Sequence, residues 1–148
     1  MRCTVDRQDF AFILQKAKQV IEKRSALPIT SCFLLHINEE KLYVKGTNLE
    51  VYITARISIQ QTDKNGAVVV NADKLTSIVK SLPSAYVQLE LNNGKLILTG
   101  GRSTFKLTTL DPEDFPEFPS PQTSTEFPAM DLLKAIDKVE YAISKEDT

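Results

Sequence analysis

The feature of this 148-residue chain that most constrains its fold is an order of predicted elements, one strand, one helix and three strands, that occurs twice. The two predicted helices begin about 65 residues apart, although the residues of the two copies are barely similar. Such a duplicated unit predicts an α+β fold in which two helices lie on an antiparallel sheet. At this length a chain buries roughly 68 to 70% of its unfolded surface, enough for one good core.

The first copy is predicted from an amphipathic helical pattern and the strand-like runs around it. Asp6 is the candidate N-cap, and Asp9 follows at the spacing of a capping box. The helix is predicted over residues 7–22 because apolar residues recur there at helical spacing. These residues are Phe10, Ile13, Leu14, Ala17 and Ile21. Strands are predicted at residues 2–5, 32–37, 42–45 and 51–59.

The second copy follows a predicted turn at Lys64-Asn65-Gly66. Asn71 is the candidate N-cap of its helix, and Pro83 ends that helix. Asn92-Asn93-Gly94 predicts a tight hairpin between two strands. The strands of this copy are predicted at residues 67–70, 86–91, 95–99 and 103–109.

A proline-rich connector follows the duplicated region. From Asp111 onward, four prolines fall within eleven residues among acidic side chains, a composition typical of an extended linker. We therefore expect a first domain over residues 1–122 and the truncated start of a second over residues 123–148. Glu126-Phe127 has strand-like character and precedes a third amphipathic helix, so a third copy is predicted to open there. The apolar residues of that helix are Leu132, Leu133, Ile136, Val139 and Ile143. The chain is thus predicted to be a piece of a longer repeat protein.

Composition and charge limit the classes of function. No window approaches the roughly 18 consecutive apolar residues of a spanning helix, so we expect a cytoplasmic protein without a membrane partner. Cys3 and Cys32 lack metal-ligand spacing and are predicted to be reduced, buried thiols. Residues 1–110 have a charge balance of +6 and residues 111–148 one of −7. The mild basic excess fits either loose contact with a polyanion or an ordinary solvated surface.

No group of residues indicates an enzyme. The single histidine, His36, lies in a predicted strand without a partner for acid–base chemistry. The carboxylates of Glu39-Glu40 lie in a predicted turn, and those within residues 111–114 lie in the connector, where water solvates them. No phosphate-binding glycine motif is present. The sequence therefore predicts no catalytic residue, no metal site and no cofactor.

The outward faces of the two helices are rich in long amide and amine side chains. Helix 1 presents Gln8, Phe12, Gln15, Lys16, Gln19 and Lys23 opposite its apolar stripe. Helix 2 presents Asp73, Ser77, Lys80 and Ser81, with Lys74 on its flank. Such groups can meet phosphates without reading bases, although a plain solvated helix face is the alternative interpretation.

Several local strings, taken in order, resemble the bacterial sliding clamp family, the beta subunit of DNA polymerase III. They are Leu27-Pro28-Ile29, Gly46-Thr47-Asn48-Leu49-Glu50, and the run from Gly101 to Leu110 that continues to Asp114-Phe115-Pro116. Together with the duplicated unit they cover the whole chain. Residues 1–122 resemble the first domain of the clamp, and residues 123–148 resemble the start of its second.

The resemblance implies a DNA-clamp fold and a non-enzymatic processivity factor. The family forms a ring, a head-to-tail homodimer whose helices surround duplex DNA without reading its sequence. Arg24 matches a DNA-contacting position of the family, and Lys16, Lys23 and Lys80 are expected to support it. Asp73 departs from a basic residue found in a known member, which places that contact in doubt.

The resemblance also implies a subunit interface. Residues 103–109 correspond to the edge strand by which the first domain joins the third domain of the partner subunit. Lys74, Arg102, Phe105 and Leu107 match interface positions, although core packing is the alternative for Phe105 and Leu107. In the full-length protein, DNA polymerase III subunits and the clamp loader are the implied further partners.

A different class of protein remains as the second interpretation. A non-enzymatic, saddle-like DNA-bending protein can also be built on an internal β/α repeat. It would need wedge aromatics and a basic sheet face, whereas the predicted strands offer mostly Thr, Ser and Lys. The clamp is therefore the preferred prediction.

Overall fold

A computed structural model describes residues 1–21, 27–38, 40–120 and 125–143. The chain divides into two compact units, Met1–Phe118 and Pro119–Thr148. The predicted domain boundary near residue 122 lies outside the described residues.

The first unit contains, within its described residues, nine strands and two α-helices. The strands are β1 (Arg2–Asp6), β2 (Cys32–Asn38), β3 (Lys41–Thr47), β4 (Tyr52–Ser58), β5 (Gln61–Lys64), β6 (Gly66–Asn71), β7 (Tyr86–Asn92), β8 (Lys95–Gly100) and β9 (Ser103–Leu110). The helices are α1 (Arg7–Ala17) and α2 (Ala72–Ser81). Short 3-10 turns occupy Lys18–Val20, Pro28–Ser31 and Pro112–Asp114.

The strands form one antiparallel sheet in the order β4-β3-β2-β6-β9-β8-β7-β1-β5. The first strand of each copy pairs with the other copy: β1 lies against β7, and β6 lies against β2. The predicted β-α-β-β-β duplication is therefore present, with its first strands exchanged. Neither copy completes its own sheet.

The N-terminal ends of both helices form as the sequence predicts. The Asp6 carboxylate accepts hydrogen bonds from the backbone N–H groups of Gln8 and Asp9, at 2.7 and 3.0 Å. The Asn71 side-chain oxygen accepts one from the N–H of Lys74 at 3.0 Å. These bonds satisfy donors that a helix start would otherwise leave unpaired.

The predicted extent of the first helix is wrong at its C-terminal end. α1 ends at Ala17 and continues only as the 3-10 turn, so the prediction of helix to residue 22 is too long. Ile21 is extended, yet it still packs against the core. Ile21 therefore reaches the core from an extended segment. Its apolar character at helical spacing led to the prediction of a longer helix.

The hairpin between β7 and β8 has the predicted two-residue turn. Asn92 pairs with Lys95, and Asn93 and Gly94 connect them with φ values of 48° and 69°. Two consecutive positive φ values are the signature of the turn that Asn-Gly favours.

Strand β5 was not predicted. It pairs with β1 at one edge of the sheet, and its sequence, Gln61–Lys64, is entirely polar. An edge strand with little burial lacks the apolar alternation on which strand prediction depends. Its pairing is supported by the Arg2–Asp63 ion pair at 3.2 Å.

Both helices cover the same face of the sheet, which confirms the predicted α+β class. Phe10, Leu14, Leu75 and Val79 are fully buried and share one apolar core with residues from the strands beneath them. The inward strand residues include Val5, Leu35, Ile37, Leu42, Val44, Val87, Leu89, Leu96 and Leu98. We call the opposite side of the sheet the helix-free face.

A smaller apolar cluster lies on the helix-free face. It contains the buried residues Cys32, Val69 and Phe115, with Leu34 and Phe118 packed against them. The start of the connector is therefore anchored to the sheet through two phenylalanines rather than extended into solvent.

The second unit contains the helix α3 (Ala129–Val139), followed by a 3-10 turn at Glu140–Ala142. The predicted third helix is present, although Ile143 lies beyond it. Residues 125–128 form no strand, so the strand-like prediction for Glu126-Phe127 is wrong. A strand requires a hydrogen-bonded neighbour, and the described residues of this unit supply none.

Candidate nucleic-acid and subunit interfaces

The outward face of α1 carries the predicted mixture of amide and amine groups. Gln15, Lys16 and Gln19 are exposed and surround a shallow depression of about 200 Å³ together with Phe12. The Lys16 ammonium lies 5.6 Å from the centroid of the Phe12 ring, a cation–π arrangement. Lys16 is therefore held on the outside of the helix, pointing away from the sheet.

The outward face of α2 is less basic than its sequence suggests. Lys80 and Lys74 are exposed, and no described residue forms an ion pair with either of them. Asp73 instead pairs with Lys18, which follows α1. This surface ion pair links α2 to the turn that follows α1, and it neutralises Lys18. Asp73, which stands where the resemblance implied a basic residue, thus acts as the partner of that lysine.

Two of the four predicted DNA-binding residues, Lys23 and Arg24, lie outside the described residues. The other two, Lys16 and Lys80, lie on the helix side of the first unit and are both exposed. Their role stays a prediction.

Strand β9 has a largely open side. Along one side it pairs with β8 from Ser103 to Thr108. On the other side only Thr109 and Leu110 pair with a described residue, Val70 and Val69 of β6. Over residues 103–108, the side of β9 away from β8 therefore has no strand partner in the described part of the chain, which is the arrangement of an edge available for pairing.

The four predicted interface residues lie around this open side. Arg102 is exposed in the turn before β9, and Phe105 is 37% exposed on the helix side of the strand. Leu107 is only 8% exposed and belongs to the core. It also lines a shallow groove of about 360 Å³ with Lys74 and Ile78 of α2. Leu107 thus combines core packing with a place at the rim of the candidate interface.

His36 is the single histidine of the chain and lies in β2. Burial and the nearby positive charge of Lys45 lower the pKa of His36, so its imidazole is neutral near pH 7. The residues described by the structure contain no group of three or more metal-ligating side chains. Among the same residues, no helix is long and apolar enough to cross a membrane.

Both cysteines are free and buried, as predicted. Burial raises the pKa of the Cys3 thiol to about 12 and also raises that of Cys32. Because the thiolate is the reactive form, we expect native chain to react slowly with a thiol reagent at pH 8 and both thiols to react after unfolding in urea. A Ser81→Cys variant, altered at an exposed position of α2, provides the control and should react at once. Equal rates for native chain and the control would contradict the buried assignment.

Sequence reasoning missed the significance of Phe12. It was noted among the outward residues, but its contact with Lys16 was not predicted. The signal was available, because residues four apart on a helix lie side by side.

The sheet with both helices on one face is the architecture of a DNA-clamp domain. The model of the family described as DNA polymerase III beta subunit, N-terminal domain, matches residues 1–119. The chain belongs to that family, the bacterial sliding clamps.

Relatives and solved structures agree with this assignment. The beta sliding clamp of Proteus mirabilis is 33% identical over 150 residues, which are 99% of this chain and 41% of the relative. A Caulobacter crescentus pol III beta structure has a TM-score of 0.92 and 32% identity, covering 100% of this chain and 40% of that one. The Helicobacter pylori beta clamp bound to a DNA ligase peptide has a TM-score of 0.93 and 28% identity, covering 99% of this chain and 41% of that one. This chain thus spans about two fifths of the length of these relatives. The comparisons do not favour the saddle-like alternative.

Proposed function

We propose that this chain is the N-terminal part of a sliding clamp that encircles duplex DNA and tethers the replicative polymerase. The observation that carries the proposal is the outward face of α1 and α2, where exposed lysines and glutamines lie opposite the sheet without an acidic cluster. The match to the clamp family supports it. The protein would act without catalysis, in the cytoplasm.

Long, flexible lysine and glutamine side chains suit a ring that slides. They reach phosphates at many positions of a helical groove, and each contact is weak and exchangeable. Retention then depends on encirclement rather than on a tight complex. Lys16 and Lys80 are the described residues proposed for these contacts. Arg24 is proposed on the family match, and Lys23 on its place in the predicted outward face of the first helix.

The open side of β9 is proposed as the closure edge. A strand from the third domain of a partner subunit would pair with it and continue the sheet across the interface. Phe105 and Leu107 would supply the apolar centre, and Lys74 and Arg102 would meet acidic groups. These 148 residues contain the first of the two domains and not the third, so the homodimer is proposed for the full-length protein.

The further partners proposed are DNA polymerase III subunits and the clamp loader. The Helicobacter pylori clamp with its DNA ligase peptide shows that a member of the family binds a peptide from another protein. The peptide pocket implied by the resemblance lies between the second and third domains. We therefore propose these contacts for the full-length protein.

The DNA contact is tested by its salt dependence. In the full-length protein, Lys16→Ala, Lys80→Ala and Arg24→Ala are each expected to lower the slope of log affinity against log salt by about 0.9, because each removes one phosphate contact. Binding should weaken equally for AT-rich and GC-rich duplexes. Fluorescence anisotropy with labelled duplexes at several salt concentrations provides the measurement.

The matched control for these variants is Lys95→Ala, which removes an exposed lysine from the helix-free face. It should leave the slope unchanged. Unchanged slopes in all three variants, or a strong preference for one duplex sequence, would show that these cations belong to an ordinary solvated surface.

A further inference from the structure

The helix-free face of the first copy has a composition that clamp function does not require. Because side chains alternate along a strand, the residues between the core positions of β2, β3 and β4 point to this face. They are Leu34, His36, Asn38, Lys41, Tyr43, Lys45, Tyr52, Thr54, Arg56 and Ser58. We call the central group, His36, Lys41, Tyr43, Lys45 and Arg56, the basic–aromatic face.

The strand register brings aromatic and basic groups into one row. Tyr43 pairs with His36 on one side and with Arg56 on the other. The His36 and Tyr43 rings lie 5.9 Å apart between centroids. Lys41 and Lys45 lie two residues before and after Tyr43 on β3, about 6.6 to 6.8 Å along the strand in each direction. A half-buried ring therefore has a cation on three sides.

The cations of this face have no acidic partner among the residues that the structure describes. No described residue forms an ion pair with Lys41, Lys45 or Arg56. None of the outward residues of β2, β3 and β4 is acidic. The nearest carboxylates in sequence are Glu39 and Glu40, between β2 and β3, and Glu50, just before β4, while Glu117 precedes Phe118 in the connector.

The connector extends the aromatic surface. The ring of Phe118 packs edge-on against Tyr52, with centroids 5.0 Å apart. The Lys45 ammonium lies 5.1 Å from the centroid of the Phe118 ring. Lys45 is thus placed between the aromatic groups of β3 and those of the connector.

The equivalent face of the second copy lacks such a row. Among the outward residues of β7, β8 and β9, the one aromatic side chain is Tyr86, and its pairing partner on β1 is the acidic Asp6. Glu90 lies further along β7, opposite Ile97 of β8, which in turn faces Lys106. Duplication alone therefore does not produce a basic–aromatic surface, and the fold does not need one.

We propose that the basic–aromatic face binds single-stranded nucleic acid. Sheet surfaces suit this ligand because aromatic rings in neighbouring strands stack on unpaired bases while lysine and arginine contact the backbone. The alternation of Lys41, Tyr43 and Lys45 along one strand supplies both kinds of contact in turn. A duplex offers no unpaired base to the ring, so the specificity is for single strands. The site lies across the sheet from the helices and is independent of the proposed duplex contact.

The test measures binding of this 148-residue chain to a fluorescein-labelled oligothymidylate of about twelve nucleotides by anisotropy at low salt. Tyr43→Ala is expected to weaken binding roughly five- to a hundredfold, and Tyr43→Phe to preserve it, because stacking requires the ring and not the hydroxyl. Lys45→Ala is expected to lower the salt slope by about 0.7, the increment for one phosphate of a single strand. Circular dichroism melting checks that each variant is folded.

Three control variants distinguish this site from the rest of the protein surface. Lys95→Ala and Tyr86→Ala remove a cation and a ring from the second copy's half of the same face, and Lys16→Ala removes a cation from the duplex-facing helix. None should change oligothymidylate binding. No binding by the folded chain, unchanged binding in Tyr43→Ala, or displacement of the oligonucleotide by an acidic peptide at equal concentration would overturn the proposal. Because duplex binding is measured through Lys16 and Lys80, the failure of either proposal leaves the other intact.

Discussion

Phe10→Ala is expected to lower the free energy of unfolding of the chain by about 3 to 5 kcal/mol, the range for removing a large aromatic side chain from a core. Phe10 is fully buried between α1 and the sheet, where it packs with residues of both copies. Because a domain of this size has only about 5 to 15 kcal/mol of stability, the loss is a large part of the total. Urea denaturation followed by circular dichroism should show a lower midpoint with an unchanged slope.

The same helix provides the control. Phe12→Ala makes the identical chemical change two residues away, at a ring that is 62% exposed. Its effect should lie within about 0.5 kcal/mol of zero, since surface substitutions rarely exceed that range. Equal losses for the two variants would show that α1 does not pack on the sheet through the face containing Phe10.

Phe105→Ala in the full-length protein is expected to weaken the proposed ring dimer by about 1 to 3 kcal/mol, roughly five- to 150-fold in dissociation constant. Phe105 is partly exposed beside the open side of β9, so its truncation removes apolar contact with a partner but little core packing. Sedimentation equilibrium measures the dimer, and urea denaturation measures the fold. Thr108→Ala, on the opposite face of the same strand, is the control and should alter neither.

Leu107 distinguishes an interface role from a core role. Because it is 8% exposed, Leu107→Ala should cost the monomer about 2 to 5 kcal/mol of stability as well as weakening the dimer. If Phe105→Ala leaves the dimer unchanged, the open side of β9 is not the closure edge. If Leu107→Ala lowers the free energy of unfolding but leaves dimerisation unchanged, Leu107 has a role in the core alone.

Local chemistry made most of the fold predictable. Asp6 and Asn71 cap helices because their oxygens match the first free N–H groups, a relation fixed within three residues. Asn93-Gly94 fixes a hairpin because both residues accept positive φ. Neither outcome depends on distant parts of the chain, so sequence patterns identify them.

The wrong or missing strand predictions lie where a segment's structure depends on pairing with a strand that is distant in the sequence. β5 is a strand because β1 lies beside it, and its polar sequence gives no sign of that neighbour. Residues 125–128 form no strand because a suitable neighbour is lacking among the described residues of their unit. The exchange of β1 and β6 between the copies is likewise a property of pairing over long sequence distances.

For the candidate interfaces, the sequence predicted which helix residues point outward, but it did not predict the contacts between elements. Helical spacing placed Lys16 and Lys80 outward, because a helix face is set by local periodicity. The family resemblance implied Phe105 and Leu107 as interface positions, but it did not distinguish their burial. That difference depends on α2, which reaches the groove beside Leu107. The pairing of Asp73 with Lys18 also depends on how two helices pack, and the sequence did not show it.

The exchange of first strands has a consequence for the nascent chain on the ribosome. Val5 of β1 pairs with Val87 of β7, and Arg2 pairs with Glu90. At about 5 to 20 residues per second, translation reaches the first of these partners roughly 4 to 16 s after it has passed β1. Throughout that interval, Cys3 and Val5, which are buried in the finished core, lack their pairing partners on the β7 side. β5 can occupy one edge of β1 earlier, but the other edge stays open until β7 has been made, so the sheet of the first unit closes around β1 only late in its synthesis.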